Sequence, residues 1–328
     1  MKLCVYGAGA VGGHIAGRLG AARADVSVIA RGPHLEAIQQ HGLRVETRDG
    51  ELVSHPVATD RPGDLEPQDI VIVAVKAPAL PAIAGHIGSL LKKDGLALFV
   101  MNGVPWWYFY AHDGPMDGAQ LQRLDPEGAL WEQVRPERAV GAVAYTACSV
   151  IAPGVIRAEN PRNRLLIGRP DGRPDARLDA LASLLNPSGL EIAVTPKIRD
   201  AIWAKLTINL IGGSLAVLSG SPMKDVLDKP AIAGTAKAMA AEAADIARAL
   251  GCDPGDPDEG LAKLAKSGHL QSIAQDLLAG RPMEIDAMFR VPLDLAERMQ
   301  VPTPNLDLVI DLATQRARAA GQYHDTSS

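Results

Sequence analysis

The sequence predicts an α/β fold, in which a doubly wound sheet of mainly parallel strands is followed by an all-helical carboxyl-terminal domain. Short apolar runs rich in β-branched residues alternate with helical segments in the first part of the chain, and long helical patterns follow Pro196. Apolar runs that do not alternate with polar residues are typical of strands covered on both faces, as in parallel sheets. We therefore expect two domains, 1–195 and 196–328, in this chain of 328 residues.

The elements of both domains can be placed in order along the chain. Four runs are predicted as parallel strands of the first domain: 2–6, 26–30, 70–75 and 96–100. Four later runs are expected to extend the sheet or edge it with antiparallel strands: 139–145, 154–159, 164–168 and 191–195. Helices are predicted in the second domain over 197–219, 231–250, 270–279, 283–299 and 304–319. Pro292 is expected to kink the fourth of these helices, whereas Thr303 and Pro304 favour the start of the fifth.

Composition and charge argue against several classes of protein. Apolar residues make up 47% of the chain and charged residues 22%, which is ordinary for a soluble globular protein. A net charge of −5 argues against a broad surface for nucleic acid or for an anionic membrane. Three cysteines without a CxxC pair, no signal-peptide pattern and no apolar run long enough to cross a bilayer favour a cytoplasmic location. The eight histidines show no zinc-binding spacing, so no metal site is expected.

A glycine-rich turn joins the first predicted strand to a helix. The sequence GAGAVGG at 7–13 fits the GxGxxG pattern of Rossmann-type dinucleotide sites. In this pattern the first glycine makes the tight turn, the second admits a pyrophosphate, and the third lets the helix pack on the strand. The predicted cofactor-binding residues are Gly7, Ala8, Gly9, Ala10, Val11 and Gly12. The alternative is a glycine-rich turn that binds no ligand.

Arg31 stands where the second predicted strand ends, in VSVIARGPH. NAD-specific proteins usually place an acidic residue there, which binds the ribose 2′-hydroxyl. A guanidinium instead suits a 2′-phosphate, because it can donate two parallel hydrogen bonds. NADP is therefore the predicted cofactor, and the alternative for Arg31 is an ordinary surface residue.

Two further polar residues follow neighbouring strands of the first domain. Lys76 ends the run VAVKAP, and Asn102 ends the run LFVMNG. Ligands of open α/β sheets bind outside the carboxyl ends of the strands, so both residues are expected at the cofactor crevice. Each also has a plainer explanation, Lys76 as a solvated lysine and the pair Asn102-Gly103 as a turn.

Two charged residues lie on apolar faces of predicted helices. In AIWAKLTINLIGG at 201–213, Lys205 shares a helical face with Ile202 and Gly212. In the later predicted helix 283–299, Glu284 shares an apolar stripe with Met288. Opposite charges that face the same cleft between the domains would make the burial of both tolerable. The alternative for Lys205 is a lysine whose stem lies along the core and whose ammonium reaches water.

The segment 103–118 is the aromatic part of the chain. It holds WWYFY at 106–110, which are five of the twelve aromatic residues. Loops rich in aromatic residues and glycine often line a ligand site or an interface. The aromatic residues of loop 105–110 could equally cover the core beneath a long loop.

Taken together, these motifs resemble those of ketopantoate reductases, which reduce 2-dehydropantoate with NADPH. The resemblance covers nearly the whole chain, through GAGAVGG, IARGPHLEAIQQHGL, VAVKAP, MNGVP, IWAKLTIN, SIAQDLLAGRPMEID and VPTPNLDLV. It implies reduction of a 2-oxo acid to a 2-hydroxy acid, with 2-dehydropantoate and (R)-pantoate of pantothenate biosynthesis as substrate and product. It also implies a general acid, Lys205, with Glu284 as acidic partner; substrate contacts by Asn102, Asn209 and Ser272; and cofactor contacts by Arg31, Lys76 and Asn102.

The chain departs from the family pattern mainly at the substrate end. Gly213, His269 and Phe289 stand where many members have asparagine, and Met283 stands where threonine is usual. The cofactor residues are intact. The resemblance therefore supports the class of reaction more strongly than it supports the identity of the substrate.

Other functions and an assembly are compatible with the sequence. One alternative is a reductase of another branched or aromatic 2-oxo acid, accommodated by Trp106, Trp107 and Phe289. Another is a catalytically inert protein that senses NADP, since a fold alone does not establish a reaction. A homodimer through the alanine-rich helix 231–250 is a further prediction, with burial of that helix in the core as the alternative.

Overall fold

The chain folds into a large mixed sheet, a smaller second sheet and a cluster of helices. The computed structural model describes residues 1–160 and 162–324, so residues 325–328 of the predicted second domain lie outside the described residues. The strands are β1 (Lys2–Tyr6), β2 (Asp25–Ile29), β3 (Leu43–Thr47), β4 (Gly50–Ser54), β5 (Val57–Thr59), β6 (Gln68–Val73), β7 (Leu91–Val100), β8 (Ala139–Tyr145), β9 (Cys148–Ala152), β10 (Val155–Ala158), β11 (Asn163–Gly168) and β12 (Leu190–Val194). The helices are α1 (Ala10–Ala21), α2 (Gly32–His41), α3 (Leu80–Leu90), α4 (Ala176–Leu185), α5 (Ile198–Ser219), α6 (Met223–Val226), α7 (Pro230–Ala249), α8 (Pro257–Leu264), α9 (Ser272–Leu278), α10 (Val291–Arg298) and α11 (Pro304–Ala319).

The main sheet has eight strands in the order β12-β11-β8-β7-β6-β1-β2-β5. The strands from β8 to β5 in this order all run parallel. Strand β11 pairs antiparallel with β8, and β12 runs parallel to β11. The parallel part has the strand order of a doubly wound dinucleotide-binding fold, so the carboxyl ends of β1, β6, β7 and β8 lie at one edge. The predicted fold class is confirmed.

The second sheet, in the order β4-β3-β10-β9, packs against α1. A Cβ atom built on Gly13, Gly17 or Gly20 of α1 would lie between 2.3 and 2.8 Å from a side chain of this sheet. These glycines share one helical face, so the sheet lies directly against the helix backbone. The run 154–159 belongs here, because β10 pairs with β3 and β9. Its placement in the main sheet was therefore wrong.

The helical domain is built around α5, which packs against α7, α9 and α11. Helix α5 is long and apolar enough to cross a membrane, but most of it is buried inside the fold. The alanine-rich face of α7 is buried in the same chain and includes Ala236, Ala240, Ala243 and Ala247. That face is therefore not available for the predicted homodimer. We propose that the boundary between the domains lies at 195–197, between β12 and α5.

The aromatic segment lies in the core. The side chains of Trp106, Trp107, Tyr108 and Phe109 are at most 1% exposed. The Tyr108 hydroxyl accepts a hydrogen bond from Trp203 Nε1 at 2.7 Å, and Arg199 donates to the Tyr108 carbonyl at 2.8 Å. Since Trp203 and Arg199 belong to α5, the loop after β7 joins the sheet domain to the helical domain.

Candidate active site

Helix α5 carries Lys205 to the edge of the main sheet. The Lys205 ammonium donates hydrogen bonds to Asn102 Oδ1 at 2.9 Å and to the Ala144 carbonyl at 2.7 Å. Asn102 follows β7 and Ala144 lies in β8, so both acceptors belong to the sheet domain. An ammonium has three N–H donors. Two are used here, and the third remains for a ligand.

Asn102 links this lysine to a buried carboxylate. Its Oδ1 accepts from Lys205, while its Nδ2 donates to Glu284 Oε2 at 3.3 Å. The backbone N–H of Ala77 donates to the other carboxylate oxygen, Oε1, at 3.3 Å. Because one end of the amide accepts and the other donates, the two partners together fix its orientation. An ammonium, an amide and a carboxylate thus form a chain across the domain interface.

Glu284 lies two residues before a π-helical turn, Asp286–Arg290, that runs directly into α10. The Val291 N–H bonds to the Asp286 carbonyl, and Pro292 has no N–H, so neither residue supplies a partner for the Ala287 carbonyl. That carbonyl instead accepts from the Val104 N–H of the opposite domain at 2.8 Å. The kink predicted at Pro292 is therefore a π turn within a continuous helical segment.

Gly103 permits this close approach of the two domains. Its φ is +82°, and a Cβ atom at this position would lie 2.2 Å from the Ala287 carbonyl oxygen. Any larger residue would meet both backbone strain and a collision with the π turn. Because Gly103 has no side chain, the two domains can approach closely here, and the Asn102 amide can reach both Lys205 and Glu284.

Burial shifts the pKa values of both charged groups toward their neutral forms. It lowers the pKa of Lys205 to about 8, and the Glu284 charge opposes this shift. Burial also raises the pKa of Glu284, which is 8% exposed, against the hydrogen bonds from Ala77 and Asn102. An ammonium with a lowered pKa gives up its proton more readily, as a general acid near neutral pH should.

Lys76, at the end of β6, lies beside this cluster but contacts a different acid. Its ammonium is 2.6 Å from Asp276 Oδ2 on α9 and donates to the Pro282 carbonyl at 3.0 Å. Asp276 also accepts from Arg281 Nε at 3.0 Å. Lys76 therefore connects the sheet domain to the segment that precedes Glu284. Its predicted contact with the cofactor stays a prediction.

The glycine-rich turn has the form that a pyrophosphate needs. Gly7 has φ of +98°, and a Cβ atom on Gly12 would lie 2.0 Å from the Gly7 carbonyl oxygen. A Cβ atom on Gly9 would meet no atom within 4 Å, so the space above the start of α1 is open. The first turn of α1 contains no acidic residue, which leaves its N–H groups to a ligand anion. These residues fit a dinucleotide.

Arg31 lies at the start of α2, next to this turn, and is exposed. Burial raises the pKa of the Tyr6 phenol at the end of β1, and the Arg31 charge opposes that shift. Among the described residues Arg31 forms no ion pair. An exposed guanidinium beside the phosphate turn fits a 2′-phosphate.

The remaining predicted residues are less closely tied to the cluster. Asn209 lies one turn after Lys205 on α5 and is half-buried, and Ser272 is the exposed first residue of α9. Within the described part of the chain, no hydrogen bond joins either to Lys205. His269 is exposed and lies near Gln275 and Glu159. The substrate contacts of Asn209 and Ser272 stay predictions.

Two of the substitutions at the substrate end contact each other. A Cβ atom on Gly213 would lie 3.3 Å from the ring of Phe289, so the phenylalanine fills the space that a side chain at 213 would need. Phe289, Trp106 and Trp107 are all at most 1% exposed. All three side chains therefore lie in the core, and the alternative that they accommodate a branched or aromatic 2-oxo acid was wrong.

Two site residues were missed in the sequence. Asp276 was noted only as a polar residue near Ser272 on the same predicted helix. No sequence pattern indicated that it would pair with Lys76, which is far away in the sequence. Tyr145 ends β8, and its ring centroid is 5.9 Å from Lys205 Nζ. Its place at the carboxyl end of a parallel strand was a usable signal.

Fold and cleft together define a class of protein, the pyridine-nucleotide-dependent oxidoreductases of two domains. A turn that fits a dinucleotide and an ammonium with a proton to give lie at the same edge of one sheet. Such an arrangement suits reduction of a carbonyl group.

Comparison with known proteins identifies the family. The family model described as ketopantoate reductase PanE/ApbA matches residues 3–172, and the model of its C-terminal part matches 197–317. The chain is 38% identical to the 2-dehydropantoate 2-reductase of Mesorhizobium japonicum over 98% of this chain and 100% of that protein. The chain belongs to the ketopantoate reductase family.

Solved structures agree with this assignment. A protein of Ralstonia solanacearum MolK2, described as a candidate ketopantoate reductase, superposes with a TM-score of 0.91 at 35% identity. The superposition covers 98% of this chain and 99% of that one. D-mandelate dehydrogenase in complex with NADH and anilino(oxo)acetate has a TM-score of 0.82 at 20% identity, over 98% of this chain and 100% of that one. At that identity the likeness extends to the fold alone.

Proposed function

We propose that this protein reduces 2-dehydropantoate to (R)-pantoate with NADPH. The observation that carries the proposal is the chain from Lys205 through Asn102 to Glu284, which leaves one ammonium proton for a ligand at the dinucleotide edge of the sheet. A protein that only senses NADP would need the glycine-rich turn and Arg31. It would have no use for a partly buried proton donor held by two acceptors.

The residues of the cleft divide the work of the reaction. The bound nicotinamide supplies the hydride for the carbonyl carbon. As negative charge develops on the carbonyl oxygen, Lys205 donates its free N–H to that oxygen and then transfers the proton. The Ala144 carbonyl and the Asn102 amide aim the ammonium, and Glu284 keeps it charged against the effect of burial. Asn209 and Ser272 orient the rest of the substrate by hydrogen bonds.

The proposal is tested by NADPH oxidation with 2-dehydropantoate and with a set of 2-oxo acids that includes pyruvate and phenylglyoxylate. We expect the highest kcat/KM with 2-dehydropantoate. Faster turnover of another 2-oxo acid would keep the mechanism and replace the substrate. NADPH binding without turnover of any of them would instead favour the sensing protein.

Replacement of Arg31 by alanine tests the choice of cofactor. We expect the ratio of kcat/KM with NADPH to that with NADH to fall by at least about tenfold, because a charge-assisted pair with the 2′-phosphate is lost. The loss should appear in the KM for NADPH. Arg48→Ala, which removes an exposed arginine in the turn between β3 and β4, is the control. An unchanged ratio in Arg31→Ala would show that Arg31 does not read the 2′-phosphate.

Location and assembly complete the proposal. Cys4 and Cys252 are buried as free thiols, and Cys148 is half-buried, as expected in a reducing compartment. We therefore keep the cytoplasm as the proposed location. The homodimer also stays a prediction, through a surface other than the buried face of α7.

A further inference from the structure

Tyr145 is the last residue of β8 and lies at the same edge of the sheet as Asn102. It directly follows Ala144, whose carbonyl accepts a hydrogen bond from Lys205, so that bond also fixes where the tyrosine backbone stands relative to the lysine. The Lys205 ammonium lies over the ring, 5.9 Å from its centroid. A ring face near an ammonium is attractive because of the negative quadrupole of the ring.

The ring is exposed where a substrate would bind. Tyr145 is 40% exposed, although most other aromatic side chains of the chain are fully buried. Its hydroxyl has no hydrogen-bond partner among the described residues, so no hydrogen bond of the hydroxyl fixes the position of the ring. A tyrosine phenol is already uncharged at neutral pH, and burial raises the pKa of Tyr145 further. An uncharged, partly exposed ring beside the proton donor is a suitable wall for an apolar group.

The chemistry of the ring face determines which part of a 2-oxo acid it receives. When the carbonyl oxygen lies about 2.9 Å from Lys205 Nζ, two groups extend from the carbonyl carbon, the carboxylate and the alkyl chain that starts at C3. The negative face of the ring disfavours the carboxylate and packs well against alkyl carbons. The alkyl chain is therefore the part of a 2-oxo acid that suits the ring face of Tyr145.

We propose that Tyr145 forms the wall of the substrate site next to Lys205 and selects 2-oxo acids that are branched at C3 over pyruvate. The proposal rests on the proposed function, since it assigns the substrate preference of the same site. It assigns the wall to a residue outside the aromatic loop, whose own tryptophans are buried in the core.

The test compares kcat/KM for 2-dehydropantoate, 2-oxoisovalerate and pyruvate with NADPH. In Tyr145→Ala we expect the ratio of either branched acid to pyruvate to fall at least about tenfold, mainly through KM. In Tyr145→Phe the ratio should stay within about twofold, because the ring is kept. Tyr145→Trp should lower turnover of the branched acids more than that of pyruvate, because a larger ring takes their space. Val194→Ala, which truncates an exposed residue of β12, is the control.

The outcomes separate this proposal from the one on which it rests. An unchanged ratio in Tyr145→Ala, with wild-type turnover intact, overturns the wall and leaves the proposed function standing. A wild-type protein that reduces none of these acids overturns both. Unfolding temperature and NADPH affinity are measured for every variant. If the alanine variant does not fold, the tryptophan variant decides, and equal losses for branched acids and pyruvate would overturn the proposal.

Discussion

Replacement of Lys205 by alanine is expected to lower kcat by about 10²–10⁴-fold, because the charge on the carbonyl oxygen would lose its proton donor. NADPH affinity should be unchanged, since the glycine-rich turn and Arg31 belong to the other domain. The measurement is steady-state NADPH oxidation with the best 2-oxo acid, combined with a fluorescence titration of NADPH binding. Lys205→Arg should remain nearly as inactive, because a guanidinium keeps its proton at neutral pH.

The matched control is Lys197→Ala, which removes a lysine directly before the same helix. That side chain is 77% exposed, and its nearest acid, Asp200, lies 3.9 Å away. Its loss should leave kcat and KM unchanged. Equal rates for Lys205→Ala and wild type would mean that Lys205 has no catalytic role and only packs its stem along the core. A similar loss in both variants would point to damage of α5 instead of loss of a proton donor.

The parts of this site that sequence could predict are those set by local rules. The turn at 7–13 was recognisable because each glycine answers a backbone requirement within a few residues. Lys205 was recognisable because one helical period places it among apolar neighbours. The strand ends at Lys76 and Asn102 followed from the rule that open sheets bind ligands at their carboxyl edge.

What connects these residues could not be predicted, because it depends on distant parts of the chain. Asn102 bonds to Lys205 across 103 positions and to Glu284 across 182. No local sequence pattern indicates that Lys205 and Glu284 are linked through the Asn102 amide and not by a direct ion pair. The pairing of Lys76 with Asp276 is hidden in the same way, since it needs the packing of α9 against the sheet domain.

The second sheet was missed for a different reason. Its strands are short and partly exposed: β3 alternates polar with apolar residues in LRVET, and β4, GELVS, has only two adjacent apolar residues, Leu52 and Val53. Such runs differ little from loops when they are read alone. The usable signal lay in α1, where Gly13, Gly17 and Gly20 repeat on one face. Glycines at that spacing indicate that another element packs closely against the helix, and here side chains of the second sheet do so.

The prediction with the second-largest effect concerns Glu284, whose carboxylate is hydrogen-bonded through Asn102 to Lys205. Glu284→Gln keeps the size of the side chain and removes its charge. The Glu284 charge now opposes the effect of burial on Lys205, so its loss should lower the pKa of Lys205 below its present value of about 8. At a pH above the pKa of Lys205, each unit by which that pKa is lowered reduces the protonated fraction of Lys205 about tenfold.

We therefore expect a pH-dependent defect. In the wild type, kcat should be level below about pH 8 and fall above it, because the general acid must be protonated. In Glu284→Gln the fall should begin at lower pH, with a loss of at least about tenfold at pH 8 and a much smaller loss at pH 6. Glu297→Gln, at an exposed position of α10, is the control. A loss of equal size at every pH would place Glu284 in substrate binding instead.

At high pH, Glu284→Gln should be less active than the wild type but more stable. Measuring both quantities therefore separates the effect of the carboxylate on catalysis from its effect on folding. Burial raises the pKa of Glu284 in the folded state, so its contribution to stability is full below its ordinary pKa and is lost as pH rises through the raised one. The unfolding temperature of Glu284→Gln, compared with wild type, should therefore rise between pH 4 and pH 8. At the same pH, the loss of the charge would make the fold more stable and would leave a smaller fraction of Lys205 protonated. If the difference in unfolding temperature instead fell with pH, the carboxylate would be a net stabilising partner of Lys205, and its burial would need no catalytic explanation.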